Sequence, residues 1–165
     1  MIATRAAGPG DAEELVRLRR LMFRFMNGRD EPGEWERTAV ESARRQLSGD
    51  APWLVGFVVE AAGGAGLAAC AVGRVEERLP APGHPSGLFG FVFSVCTDPE
   101  YQGRGCARAT TEALLKHFAE RGVSRVDLHA TPDAERLYRS LGFAEHSTPL
   151  SLDLRSWRGR SGAEG

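Results

Sequence analysis

The sequence predicts a single α/β domain with a mixed, largely antiparallel sheet. Three observations predict it. Short β-branched and aromatic runs interleave with stretches of helical period, in the order β-α-α-β-β-β-α-β-α-β-β. One strand, from Phe91 to Cys96, leads through a glycine turn into a helix, the only clear crossover. No repeat or second unit accompanies them, and 165 residues suit one domain with a proper core.

Ile2 to Ala6 reads as a short strand, broken by Gly8-Pro9-Gly10. Asp11 with Glu14 three residues later has the pattern of a capping box. Leu15, Leu18, Met22 and Phe25 or Met26 then mark one face of a helix over 11–26, which Asn27-Gly28 ends. After a polar loop, Trp35, Ala39, Ala43 and Leu47 mark a second helix over 33–48. The runs 53–61 and 67–78 are strongly β and flank Gly63-Gly64-Ala65-Gly66, so they read as a hairpin. The connection 79–87 carries Pro80, Pro82 and Pro85 and is expected to wall a substrate pocket.

Asp98-Pro99 stops the central strand, because proline donates no backbone hydrogen bond and restricts the residue before it. Ala107, Thr111, Leu114 and Phe118 mark the next helix, which runs to about Arg121-Gly122. Residues 123–130 form another strand, and Thr131-Pro132-Asp133 opens a short helix bearing Leu137 and Leu141. Two further strands are expected near 143–146 and 149–154. The domain is taken as 1–155, with a Gly-, Ser- and Arg-rich tail at 156–165 that is expected to be disordered.

Composition excludes several classes. Apolar content of 42% and charged content of 26% are ordinary for a globular protein. A net charge of −1 gives no reason to expect nucleic acid or an acidic membrane as partner. Arg17, Arg19, Arg20 and Arg24 are read as a solvated helix face. No apolar run has the length of a membrane span and no signal-peptide core is present. Cys70, Cys96 and Cys106 form neither a metal spacing nor a disulfide framework, which points to a reducing cytoplasm and no metal.

The glycine turn suits one ligand feature. The first amides of a helix have no partner within it, and the helix dipole adds about half a positive charge there. A pyrophosphate accepts those hydrogen bonds, and Gly103 and Gly105 remove the Cβ atoms that would block its approach. Arg104 adds a full charge beside it. The phosphate loop of the Gly-x-x-x-x-Gly-Lys-Ser/Thr type is absent. The dinucleotide fingerprint fails at its third glycine, where Arg108 stands, although Asp127 lies near the distance expected of a ribose-binding acid.

What fits is Gln-x-x-Gly-x-Ala at 102–107 after a Pro-terminated strand, together with Ala134-Glu135-Arg136-Leu137-Tyr138-Arg139-Ser140-Leu141-Gly142-Phe143. The two segments, in this order, resemble the acyl-CoA site and the Ala-x-x-Leu-Tyr-x-x-x-Gly-Phe segment of the GNAT superfamily of N-acyltransferases. The resemblance is strongest over 88–145, and it implies a GNAT-like fold in which the fourth and fifth strands splay around acyl-CoA.

By matching position, the resemblance implies that the backbone of Val95, Cys96 and Thr97 pairs with pantetheine. Gln102, Gly103, Arg104, Gly105, Cys106 and Ala107 would form the pyrophosphate turn. Thr131 would contact CoA where the superfamily often has Asn. Tyr138 matches the general acid that protonates the thiolate leaving group. Ser94, on the central strand, could hold a catalytic water. The general base stays open among Glu31, Glu34, Glu76, Glu77, His84 and His129. Cys106 sits at a helix N-terminus, but direct transfer needs no nucleophilic thiol.

The function this implies is an N-acetyltransferase moving acetyl from acetyl-CoA, as co-substrate, to a primary amine of a small molecule or peptide. The alternatives are a catalytically silent acyl-CoA-binding regulatory domain and a nicotinamide dinucleotide binder. The amine, the acyl-chain preference and the oligomeric state, a homodimer included, stay open. Helices one and two, with the loops 27–33 and 79–87, are expected to shape the amine pocket.

Overall fold

The structure is a computed structural model that describes residues 1–158. The elements, in order, are β1 (Arg5–Ala6), α1 (Ala12–Asn27), α2 (Glu34–Gln46), β2 (Leu54–Glu60), β3 (Leu67–Glu77), β4 (Leu88–Thr97), α3 (Cys106–Glu120), β5 (Arg125–Leu128) and α4 (Pro132–Ser140). The sheet runs β1-β2-β3-β4-β5 in sequence order. Every pairing is antiparallel except β4 with β5, which the crossover through α3 makes parallel.

Each face of the sheet is covered because each carries its own apolar set. Leu15 and Leu18 of α1 pack with Val58, Cys70, Val72 and Cys96 on one face. On the other, Leu114 and Phe118 of α3, both fully buried, pack on Val55, Ala71, Val75 and Val92. Gly90 admits α3 closely, since a Cβ there would stand 2.9 Å from Phe118 Cδ2. α1 ends as expected, with Gly28 in the left-handed region and its N–H donating to Arg24 O at 3.0 Å.

The β4 strand is not regular. Val72 faces Ser94 and Gly73 faces Val92, so Phe93 is an extra residue without a partner, a β-bulge. Val92 and Val95 consequently pack toward the same core although they are three residues apart.

Several local expectations are corrected. The Asp11–Glu14 capping box does not form. Asp11 accepts instead from the Gly8 N–H at 2.8 Å and pairs with Arg5 at 2.9 Å, while Glu14 accepts from the Leu67 N–H at 2.7 Å. The strands expected at 143–146 and 149–154 are absent among the described residues. The alternating Leu150, Leu152 and Leu154 are there, but all three are exposed, and no strand lies on the outer edge of β5. Alternation makes a strand only where a neighbouring edge receives its backbone. Of the tail at 156–165, residues 159–165 lie outside the described residues.

Candidate active site

β4 and β5 face each other only from Phe89 and Arg125 to Val92 and Leu128. Beyond that pair β4 continues to Thr97 while β5 has ended. The two strands part, and a cavity of about 700 Å³ opens between them.

The parting leaves backbone groups free. The Asp98 N–H donates to Ala68 O at 2.8 Å, so position 98, and by antiparallel alternation 96, spends its backbone groups on β3. Val95 and Thr97 therefore turn theirs toward the gap, and both line it. Cys96 presents no backbone group there and is buried among core residues. The hydrogen bond with the facing Cys70, and then burial, push its thiol pKa well up, and all three cysteines are free and buried.

At the far end of β4 a turn of helix at Pro99–Tyr101 leads to the glycines. Gly105 stands before α3 with φ +84°, a conformation that glycine adopts without strain. None of the N–H groups from Gly103 to Arg108 donates a hydrogen bond within the described residues. Gln102, Gly103, Gly105, Cys106 and Ala107 line the cavity at this end. Arg104 does not; its guanidinium lies over the Tyr101 ring, 5.2 Å from the centroid. A row of free donors at a helix N-terminus, on a backbone without Cβ atoms at two positions, fits a pyrophosphate.

The opposite wall comes from β5 and α4. Leu128, His129, Thr131, Leu137 and Tyr138 line it. Tyr138 is 8% exposed and its ring meets Phe143 edge-on at 5.9 Å, which accounts for the Tyr-x-x-x-Gly-Phe spacing. Its hydroxyl has no hydrogen-bond partner among the described residues. Burial, and secondarily the neighbouring Cys96, push its pKa to about 12, so the phenol is neutral throughout the physiological range.

The third wall is α1, as expected of the first helix, but the place of Arg19 in it was not legible in the sequence. Arg19, Met22, Phe23, Phe25 and Met26 line the cavity. The arginine cluster is not a uniform solvated face. Arg17 pairs with Glu14 at 2.6 Å and Asp98 at 2.7 Å, joining α1 to the end of β4, and it holds both carboxyls below their ordinary range. Arg19 donates to the hydroxyl of Ser94, which is itself 4% exposed and is not part of the cavity wall. No local pattern could have revealed the Arg19–Ser94 contact, because the two stand 75 residues apart.

Of the candidate bases, His129 is the one on the cavity wall, with its ring edge-on to Phe91 at 5.4 Å. Glu31 pairs with Arg29, Glu34 with Arg37 and Glu76 with Arg78, all on the surface, and Glu77 is exposed at the end of β3. His84 contacts Ser124 Oγ at 2.6 Å and packs on Phe89, at the closed end of the β4–β5 pair. The connection 79–87 therefore lies away from the cavity, not on its wall. The loop 27–33 and α2 contribute no lining residue either, although Trp35 of α2 backs Phe23 at 5.9 Å.

The profile of the acetyltransferase (GNAT) family matches residues 15–143. A mycothiol acetyltransferase of Thermobispora bispora is 37% identical over 119 residues, which cover 68% of this chain and 37% of that protein. The chain spans 19% to 40% of the length of mycothiol acetyltransferases of this kind. A chain from Clostridium acetobutylicum, described as a predicted acetyltransferase with acetyl-CoA, has the same fold, with a TM-score of 0.81. Its identity is 21%, over 96% of this chain and 100% of that one. A GCN5-related N-acetyltransferase from Ralstonia eutropha JMP134 is 26% identical with a TM-score of 0.70, over 91% of this chain and 99% of that one.

Proposed function

The chain belongs to the GNAT acetyltransferase family, whose members use acetyl-CoA, and we propose that it transfers acetyl from acetyl-CoA directly to a primary amine. The observation that carries this reading is a single cavity lined at one end by Gly103, Gly105, Cys106 and Ala107, whose amides are free, and on its wall by Tyr138. Acetyl-CoA supplies the reaction with a thioester whose thiolate leaves.

In this reading the N–H groups of the glycine turn hold the pyrophosphate, with Gln102 at its start. The open backbone of Val95 and Thr97 pairs with the pantetheine amides, as a strand would. Thr131, at the start of α4, contacts the same arm. Tyr138 keeps its proton because burial opposes the phenolate, and it donates a hydrogen bond as negative charge develops on sulfur. An ammonium of pKa ~10.4 must shed a proton before it can attack, at a cost of about 4.6 kcal/mol at pH 7. His129, on the cavity wall, is the proton acceptor that the geometry favours. Ser94 positions Arg19 and does not hold water in the cavity. The free, buried thiols support a cytoplasmic location.

Release of free CoA from acetyl-CoA across a panel of amines tests the activity, and thermal shift tests the ligand. CoA should raise the melting temperature and NADH should not. Stabilisation by CoA without turnover of any amine would favour the silent regulatory domain.

A further inference from the structure

On its α1 side the cavity is lined by Arg19, a guanidinium without an ion pair among the described residues. The neighbouring arginines of α1 that are well ordered by acids, Arg17 and Arg20, each hold two carboxylates. Arg19 makes no ion pair among the described residues. Its guanidinium, with five N–H donors, gives one hydrogen bond, to a neutral hydroxyl on Ser94. It is held in place by the rings of Phe23, 4.8 Å from the centroid, and Phe93, at 5.7 Å. The Phe93 ring reaches it because the β4 bulge leaves that residue without a partner.

Apart from His129, which stands edge-on to Phe91, the side chains around Arg19 on the cavity wall are apolar. They include Met22, Phe25, Met26 and Phe91, with Phe25 at 67% and Met26 at 51% exposed. Among the described residues on the cavity wall, Asp133 is the one carboxylate, and it sits at the exposed first turn of α4. A polycationic amine would find no acid on the α1 side and would meet a fixed guanidinium. A cation clamped between rings, with donors unspent and no acid nearby, is complementary to one negative charge in a planar, two-oxygen group.

Building on the acetyl-transfer reading, we infer that the acceptor is a hydrophobic amine that also bears a carboxylate, and that Arg19 receives the carboxylate. Phe23 and Phe93 orient the guanidinium, Ser94 fixes its rotamer, and Met22, Phe25 and Met26 accept the apolar frame. Arg19 is then a specificity-determining residue of the acceptor site, distinct from the groups that hold CoA.

The probe is 3-phenylpropionate, which has the frame and the carboxylate but no amine. Its binding is measured by calorimetry on the wild-type protein, Arg19→Gln and Arg19→Lys, each with and without CoA. The expected result is binding to wild type, at least tenfold weaker binding to Arg19→Gln, and an intermediate affinity for Arg19→Lys, which keeps the charge and loses the fork. The neutral 3-phenylpropanamide should bind wild type more weakly and be indifferent to both substitutions. CoA affinity should agree among the three proteins, which also certifies that the variants are folded. No binding of the acid to wild type, equal binding to wild type and Arg19→Gln, or an Arg19→Lys no better than Arg19→Gln would each overturn the inference. Failure of all three proteins to bind CoA would instead sink the acetyl-transfer reading, while the arms without CoA still report on Arg19.

Discussion

Val92 and Leu128 are the last facing residues of β4 and β5, and the cavity begins where their pairing stops. Immediately after Val92 comes the bulged Phe93, and immediately after Leu128 comes His129, both on the cavity wall. The end of one parallel pairing thus sets the open backbone, an aromatic wall and a candidate base side by side.

Tyr138→Phe keeps the ring that packs on Phe143 and removes only the hydroxyl. With an accepted amine and chemistry limiting turnover, kcat should fall by about 10²–10⁴, the usual contribution of general acid catalysis. Acetyl-CoA affinity should change much less. A variant with unchanged kcat would leave Tyr138 as a packing residue.

The phenol should resist ionisation. Tyr101 and Tyr138 are the two tyrosines, so Tyr101→Phe leaves Tyr138 alone. Phenolate absorbance in that variant should develop toward pH 12 and be nearly absent at pH 10. A midpoint near 10 would mean that the buried environment does not raise the pKa. It follows that Tyr138 should not produce a basic limb in the wild-type rate profile below about pH 11.

Gly105→Val should abolish CoA binding in calorimetry. A side chain there fills the approach to the free amides, and its Cβ would stand 3.4 Å from Ile2 Cδ1. The φ of +84° adds strain of about 1–2 kcal/mol. The variant should therefore fold with a lowered melting temperature. Wild-type CoA affinity in the folded variant would remove the pyrophosphate from this turn.

Gly90→Ala tests the packing that seats α3. The new Cβ would meet two Phe118 ring carbons at 2.9 and 3.0 Å, and Phe118 is fully buried. Overpacking of this kind costs about 1–3 kcal/mol, readable as a lower urea midpoint. An unchanged midpoint would show that the ring shifts freely.

The Arg17 ion pairs predict a pH dependence of stability. Glu14 and Asp98 have pKa values lowered in the folded state, chiefly by hydrogen bonds from Arg17. Their contribution is therefore complete above about pH 5 and is lost as acid protonates them below the ordinary carboxylate range. Arg17→Met should cost about 1 kcal/mol at pH 7, with solvent screening allowed for, and less at pH 3. An equal cost at both values would assign the effect to the side-chain stem.

Much of the fold is legible from local pattern. The helices 11–26 and 33–48, the hairpin around the glycines and the strand-turn-helix at 91–121 follow from periodicity and breakers a few residues apart. The extra C-terminal strands misled because Leu150, Leu152 and Leu154 alternate like a strand while no edge receives them. The connection 79–87 misled because length and proline content mark a loop without saying which end of the sheet it crosses.

The sequence by itself determined the α/β class, the glycine turn before α3 and the Tyr138 segment, since each is written in contiguous residues. Only the tertiary structure decided that Arg19 enters the cavity, that Ser94 is its partner, that Phe93 is bulged and that His129 alone of the candidate bases faces the site. Those outcomes depend on where strands stop pairing and on which side chains meet across the fold. Arg19 and Ser94 are 75 residues apart, and no periodicity within either element carries the position of the other.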